Sequence, residues 1–217
     1  MTDIKATVAR ALLEIGAVGF TPDAPITFKS GLLSPVYVDN RRLPFHPTQW
    51  HQVIDGFAAL LAANKIADDI MAGIETGGIP HSSALAYALH KPSVIVRKQA
   101  KDHGTRNRIE GGDVGGRHVL LIEDMITMGG SSLSGAQALR DAGAIVGHCC
   151  AVVTYGFASA QAAFDEAGIH LHTLTDFPAI LQEAVAMGHF TTDDADVVTD
   201  WLRDPHGWAG RRGFGKG

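Results

Sequence analysis

The chain has 217 residues, 46% of them apolar, with a formal charge of -5 and a mean hydropathy of +0.08. That supplies one substantial core with decorations, and the acidic balance argues against a nucleic-acid surface. No stretch reaches transmembrane length and the amphipathic start MTDIKATVARALLEIG has no apolar leader core, so the expected setting is the cytoplasm, with no membrane partner.

In chain order, Ile4–Ile15 reads as a helix with Ile4, Val8, Ala11, Leu12 and Ile15 on one stripe. Val18–Phe28, broken by Pro22 and Pro25, reads as loop or short edge strand. Phe28–Arg42 reads as two short extended segments around a turn at Ser30–Pro35. Its polar residues, Lys29, Ser30, Asp39, Asn40, Arg41 and Arg42, fit either solvated decoration or a small lobe that holds Lys29 over an anion. Pro47 opens a helix over Thr48–Asn64. A strand at Asp69–Ile74, the turn GIETGGIP, a helix at Pro80–Leu89 and a strand at Val94–Val96 then make a β-loop-α-β unit. This is an α/β pattern and predicts a parallel central sheet covered by helices on both faces.

Arg97–Gly116 holds five of the chain's 18 lysines and arginines together with five glycines and almost no apolar residues. It reads as a mobile loop, either a solvated linker or a cationic lid that closes over a phosphate group. Val119–Ser132, VLLIEDMITMGGSS, is the central stretch: an apolar strand, two adjacent carboxylates at Glu123 and Asp124, then a Gly, Ser and Thr turn into a helix. Such a turn at the carboxyl edge of a parallel sheet suits a phosphate, and it is also a common structural connection. It matches neither GxxxxGK[ST] nor GxGxxG.

A helix follows at Ser132–Ala142 with Gly143 as its cap, then a strand at Ile145–Val153. Cys149 and Cys150 are adjacent within it and point to opposite faces, so neither a structural disulfide nor a zinc site is expected. A helix at Ser159–Ala167, a short strand at Ile169–Leu174 and helices at Phe177–Met187 and Ala195–Arg203 complete the pattern. The last of these follows the acidic run TTDDAD. The tail PHGWAGRRGFGKG reads as loose, with Trp201 and Trp208 packing the last helix against the body.

Val119–Ser131 resembles the phosphoribosyl pyrophosphate motif of the type I phosphoribosyltransferases. KSGLLSPVYVD at Lys29–Asp39 and RKQAKDHG at Arg97–Gly104 are similar to signature segments of the orotate-specific members. The resemblance implies a type I phosphoribosyltransferase fold spanning residues 1–217, with a small N-terminal hood at 18–45 and a mobile catalytic loop at 97–116. It also implies transfer of phosphoribosyl from phosphoribosyl pyrophosphate to orotate in pyrimidine synthesis. A purine-base phosphoribosyltransferase and a non-catalytic sensor of phosphoribosyl pyrophosphate are the alternatives.

Roles implied by the resemblance fall on named positions. Glu123 and Asp124 would hold the ribose hydroxyls, and the turn formed by Met125, Ile126, Thr127, Met128, Gly129, Gly130 and Ser131 would cradle the 5-phosphate. Thr76 and Gly77 would meet pyrophosphate, with Lys98 beside them. Lys29, Arg97, Lys101, His103 and Asp124 form the expected catalytic set, and the loop would reach the neighbouring subunit of a homodimer. Tyr37, Val38, Arg41, Thr127 and Tyr155 would face the orotate ring. Magnesium is the expected cofactor, carried mainly by the phosphoribosyl pyrophosphate and not by a protein metal site. The chain departs from the family pattern at Glu123 (often Asp), at Met128 (often small), at Thr76 (often Lys) and at Tyr155, where an arginine often pairs with the orotate carboxylate.

Overall fold

The computed structural model describes residues 3–28, 30–99 and 108–214. Lys29, Lys101 and His103 lie outside the described residues, as does the middle of the predicted catalytic loop.

Helix α1 (Ile4–Glu14) is followed by a hood of short elements: β1 (Val18–Phe20), β2 (Ile26–Thr27), β3 (Leu33–Ser34), β4 (Val36–Val38) and a 3-10 turn over Asn40–Phe45. Strands β1 and β4 pair antiparallel, as do β2 and β3. The main layer then unfolds as α2 (Pro47–Ala63), β5 (Ile70–Ile74), α3 (Gly78–Ala88), β6 (Ser93–Val96), β7 (Ile109–Glu110), β8 (Val119–Ile126), α4 (Gly130–Asp141), β9 (His148–Thr154), α5 (Ala158–Glu166) and β10 (His170–Asp176). Helices α6 (Phe177–Ala186), α7 (Thr192–Arg203) and α8 (Pro205–Arg211) close the chain. Among the described residues no helix is long and apolar enough to cross a membrane.

The six-stranded sheet has the order β10-β9-β8-β5-β6-β7, and every pairing is parallel except β6 with β7. Strands β5, β8 and β9 are buried along almost their whole length, as expected of strands with helices on both faces. On one face the core gathers Leu12, Phe57, Leu85, Phe177 and Trp201 from α1, α2, α3, α6 and α7. On the other it gathers Ala136 and Leu139 of α4 with Ala160 and Phe164 of α5. Cys150 belongs to the first core and Cys149 to the second, both as free thiols, as alternation along a strand requires.

Three expectations are corrected. The segment Arg97–Gly116 is not all unanchored loop: Ile109 pairs with Val96 across the sheet edge, and Ile109 and Val114 are buried. Two apolar residues suffice there because β6 offers an open edge, so the sheet is mixed and not wholly parallel. The tail is not loose from Pro205. Pro205 starts α8, the Asp204 carboxylate accepts from Gly207 N at 3.0 Å, and Trp208 is fully buried. Strand β9 starts at His148 and not at Ile145, which is 49% exposed and makes only an isolated bridge with His118.

Candidate active site

The order in which strands are added reverses between the parallel neighbours β5 and β8: from β5 the sheet grows through β6 to one edge, and from β8 through β9 to the other. At such a switch point the loops leaving two neighbouring strands splay apart and leave a crevice. A cavity of about 950 Å³ opens there, walled on its far side by the hood.

Two helices begin at its floor. Helix α3 starts after Gly77 and α4 after Gly129, and neither has a side-chain cap, so their first N–H groups are free for an anion. Gly129 has φ +78°, and a side chain there would also strike the Phe164 ring. A methyl on Gly77 would overlap the Asp124 carboxylate. Both glycines are therefore demanded by close approach, and the two turns face one space.

Thr76, Gly77 and Lys98 line the cavity from the β5 side, and Thr127, Met128, Gly129, Gly130 and Ser131 from the β8 side. Glu123, Asp124 and Met125 lie between them. Ile126 is a correction: its side chain is fully buried in the α4–α5 core, and its carbonyl accepts from Tyr155 N at 3.1 Å. Arg97 turns its guanidinium to the sheet edge, where Nη1 donates to Glu110 Oε1 at 3.1 Å, and does not line this chain's own cavity. Lys98 stays beside the site, its backbone N–H donating to Glu75 Oε2 at 3.1 Å.

Glu123 is 6% exposed, and Ser132 Oγ donates to its Oε2 at 3.3 Å. Burial, and then the side-chain hydrogen bond with Asp124, push its carboxyl up to about 9. Glu123 thus holds its proton near neutrality, as a buried carboxyl crowded by a second acid does. The stability consequence has a definite sign. Between the ordinary value of 4.5 and about 9 the folded chain keeps a proton that the unfolded chain has released, so this group lowers stability as pH rises. We expect the urea midpoint to fall from pH 6 to pH 8.5, with a shallower fall in Glu123→Gln. Equal slopes in urea titrations of the two proteins would refute this protonation state.

The remaining wall is formed by Tyr37, Val38, Arg41 and Tyr155 with Phe28 and Ser30. Arg41 is 68% exposed in its side chain, and its Nε meets Asp39 Oδ1 at 2.6 Å. Tyr155 is 3% exposed and packs within 5.3–5.8 Å, centroid to centroid, of Phe28, Phe157, Phe177 and Trp201. Burial alone raises its phenol above the ordinary range.

Two supporting groups escape sequence reasoning. Asn40, 1% exposed, donates from Nδ2 to the Asp124 carbonyl at 2.8 Å and so ties hood to acidic pair. Trp50 Nε1 donates to His81 Nδ1 at 3.1 Å, and burial lowers His81 to about 4. The His81 ring is therefore neutral with its proton on Nε2. Neither pairing has a sequence signal, since the partners are 84 and 31 residues apart.

Two uncapped helix starts and paired acids at the switch point of such a sheet define a phosphoribosyltransferase site. Residues 48–168 match the phosphoribosyl transferase domain family. The orotate phosphoribosyltransferase of Coxiella burnetii is 37% identical over 201 residues, covering 93% of this chain and 96% of that protein. The enzyme of the same name from Listeria monocytogenes is 39% identical over 210 residues, covering 94% and 98%. Among solved structures, Leishmania donovani UMP synthase superposes with a TM-score of 0.81 at 25% identity over 91% of this chain and 42% of that one. Orotate phosphoribosyltransferase from Aeropyrum pernix does so with 0.73 at 28% identity, covering 84% and 99%. The chain belongs to the orotate phosphoribosyltransferase family, with the type I phosphoribosyltransferase fold.

Proposed function

We infer that this chain transfers the phosphoribosyl group of phosphoribosyl pyrophosphate to orotate, yielding orotidine 5-phosphate and pyrophosphate in pyrimidine biosynthesis. The observation that carries the reading is the pair of uncapped helix N-termini flanking Glu123 and Asp124 in one cavity. The α4 turn, with the Thr127 and Ser131 hydroxyls, suits a terminal phosphate, and the acidic pair suits the ribose diol. The α3 start and Lys98 suit pyrophosphate. As the bond from C1 to the leaving oxygen breaks, negative charge grows on pyrophosphate, where these fixed donors stabilise it. Positive charge grows on the ribose beside the carboxylates. Orotate arrives already anionic, so positioning and electrostatics carry most of the acceleration.

Magnesium belongs to the proposal. Among the described residues no three His, Cys, Asp or Glu side chains converge on one point. The ion would be brought in by the substrate, with Glu123 or Asp124 supplying at most one or two protein oxygens. When bound it would neutralise charge on the departing phosphates. A cytoplasmic setting is also proposed, supported by two free buried cysteines.

Incubation with phosphoribosyl pyrophosphate, magnesium and a panel of free bases tests the assignment through pyrophosphate release. Orotate should be turned over, and hypoxanthine and uracil should not. Faster turnover of either control would defeat the choice of orotate.

The proposal includes a two-fold homodimer in which Lys101 and His103 of one chain complete the site of the other. Mixing inactive Lys101→Ala and Asp124→Ala protomers should then restore activity through one intact hybrid site. Absence of recovery after proven subunit exchange would place the loop in its own subunit's site.

A further inference from the structure

The opposite end of the sheet holds a second concentration of chemistry. A cavity of about 510 Å³ there is lined by Asp68, His118, His148 and His170 among others. These four stand at or just before the starts of β5, β8, β9 and β10, which are consecutive neighbours in the sheet. In-register parallel strands bring such residues side by side although they are far apart in sequence.

The β9–β10 register sharpens the picture. His170 is the strand partner of His148, and His172 is the partner of Cys150. Residues two apart on a strand share a face. The His148 ring consequently sits 5.4 Å, centroid to centroid, from each of His170 and His172. Its Nδ1 is 3.2 Å from Nε2 of His172. Two imidazole nitrogens bound at about 2.0–2.1 Å to one tetrahedral zinc lie roughly 3.3 Å apart. This pair therefore already stands at about the separation of two ligands on one ion, and binding would release to solvent the proton that the two rings now share, the ion taking its place.

We propose that His148, His170 and His172 form a binding site for a divalent transition-metal ion that prefers imidazole, with zinc the first candidate. As the rings stand, no three such side chains among the described residues share one coordination sphere. His170 is exposed, and turning its ring about the side-chain torsions supplies the third nitrogen. Three imidazoles from two strands leave a fourth tetrahedral position for water.

Two further observations support the site. Asp68 is 6% exposed and its Oδ2 has no hydrogen-bond partner, which puts an uncommitted carboxylate in the adjoining cavity to orient a ligating ring or offset the ion's charge. His172 is half-buried and its ring is fixed by the contact with His148, so two of the three rings are already placed beside one another. None of the three histidines lines the catalytic cavity, and magnesium, which favours oxygen ligands, does not compete.

The test uses untagged full-length protein stripped with a chelator and then dialysed to equilibrium against zinc alone. One zinc ion should bind per chain, raising the melting temperature where magnesium does not. Cobalt(II) in its place should give the strong visible absorption of a tetrahedral site. Replacing His148 and His172 together by alanine should weaken zinc binding by at least about tenfold, with transfer to orotate unchanged. Failure to bind zinc, or zinc binding undiminished in the double variant, would overturn the site. Should the double variant not fold, His170→Ala at its exposed position decides: unchanged zinc affinity there also overturns it.

Discussion

Replacing Asp124 with alanine or asparagine should lower kcat/KM for phosphoribosyl pyrophosphate by about 10²–10⁴-fold while leaving the chain folded. A carboxylate that accepts from two ribose hydroxyls makes two hydrogen bonds to a charged group, each worth about 1.5–3 kcal/mol. Nothing in the core replaces them. The fold itself loses little, because Asp124 is only partly buried and its crowding is one cause of the raised Glu123 value. Removing the negative charge at 124 lets Glu123 ionise more easily, so both variants should be at least as stable as the wild type at pH 8. Asparagine keeps the side-chain volume, so a comparable loss in both variants would assign the effect to charge and acceptor geometry. Calorimetry of phosphoribosyl pyrophosphate with the folded variants checks this directly. Unchanged affinity would remove Asp124 from the binding site.

Arg41→Ala should raise the orotate Kd by roughly 30-fold or more, the lower end of the 2–5 kcal/mol cost of removing one partner of a desolvated charge pair, provided orotate on entering covers a guanidinium that otherwise stands 68% exposed. The reason lies in what surrounds position 155. Tyr155 sits in a box of Phe28, Phe157, Phe177 and Trp201, where a guanidinium would be buried without a carboxylate. Among the described residues Arg41 is the arginine on the cavity wall, and it is engaged by Asp39. Orotate's carboxylate has to compete with Asp39 for that guanidinium, so Asp39→Asn should tighten orotate binding while Arg41→Ala weakens it. Tyr155→Phe should leave the aromatic packing intact and cost only what the hydroxyl contributes to the base. Orotate affinities of the three variants at several salt concentrations provide the measurement. A loss in Arg41→Ala confined to the association rate and erased by salt would show a rim charge only, and no change at all would exclude this arginine.

Local signals carried much of the reading. The apolar runs at Ile70–Ile74 and Val119–Ile126, each ending in a glycine-bearing turn, announced buried parallel strands because both faces of such a strand need side chains of one kind. Alternation alone sent Cys149 and Cys150 to different cores. Failures came where an outcome depended on a distant edge or cavity. Ile109 became strand because β6 had an unpaired edge, and Trp208 made a helix of the tail because the hood side of the core accepts its ring.

The sequence by itself determined the α/β alternation, the two glycine-bearing turns and the acidic pair, since each depends on residues within one turn or strand of one another. Only the tertiary structure decided which of the described cationic groups reach the cavity, that Asn40 holds the Asp124 backbone and that Trp50 fixes the His81 tautomer. It likewise decided that Glu123 keeps its proton and that three histidines share one sheet face. These depend on strand order and burial, which set distances and desolvation between segments that no local pattern relates.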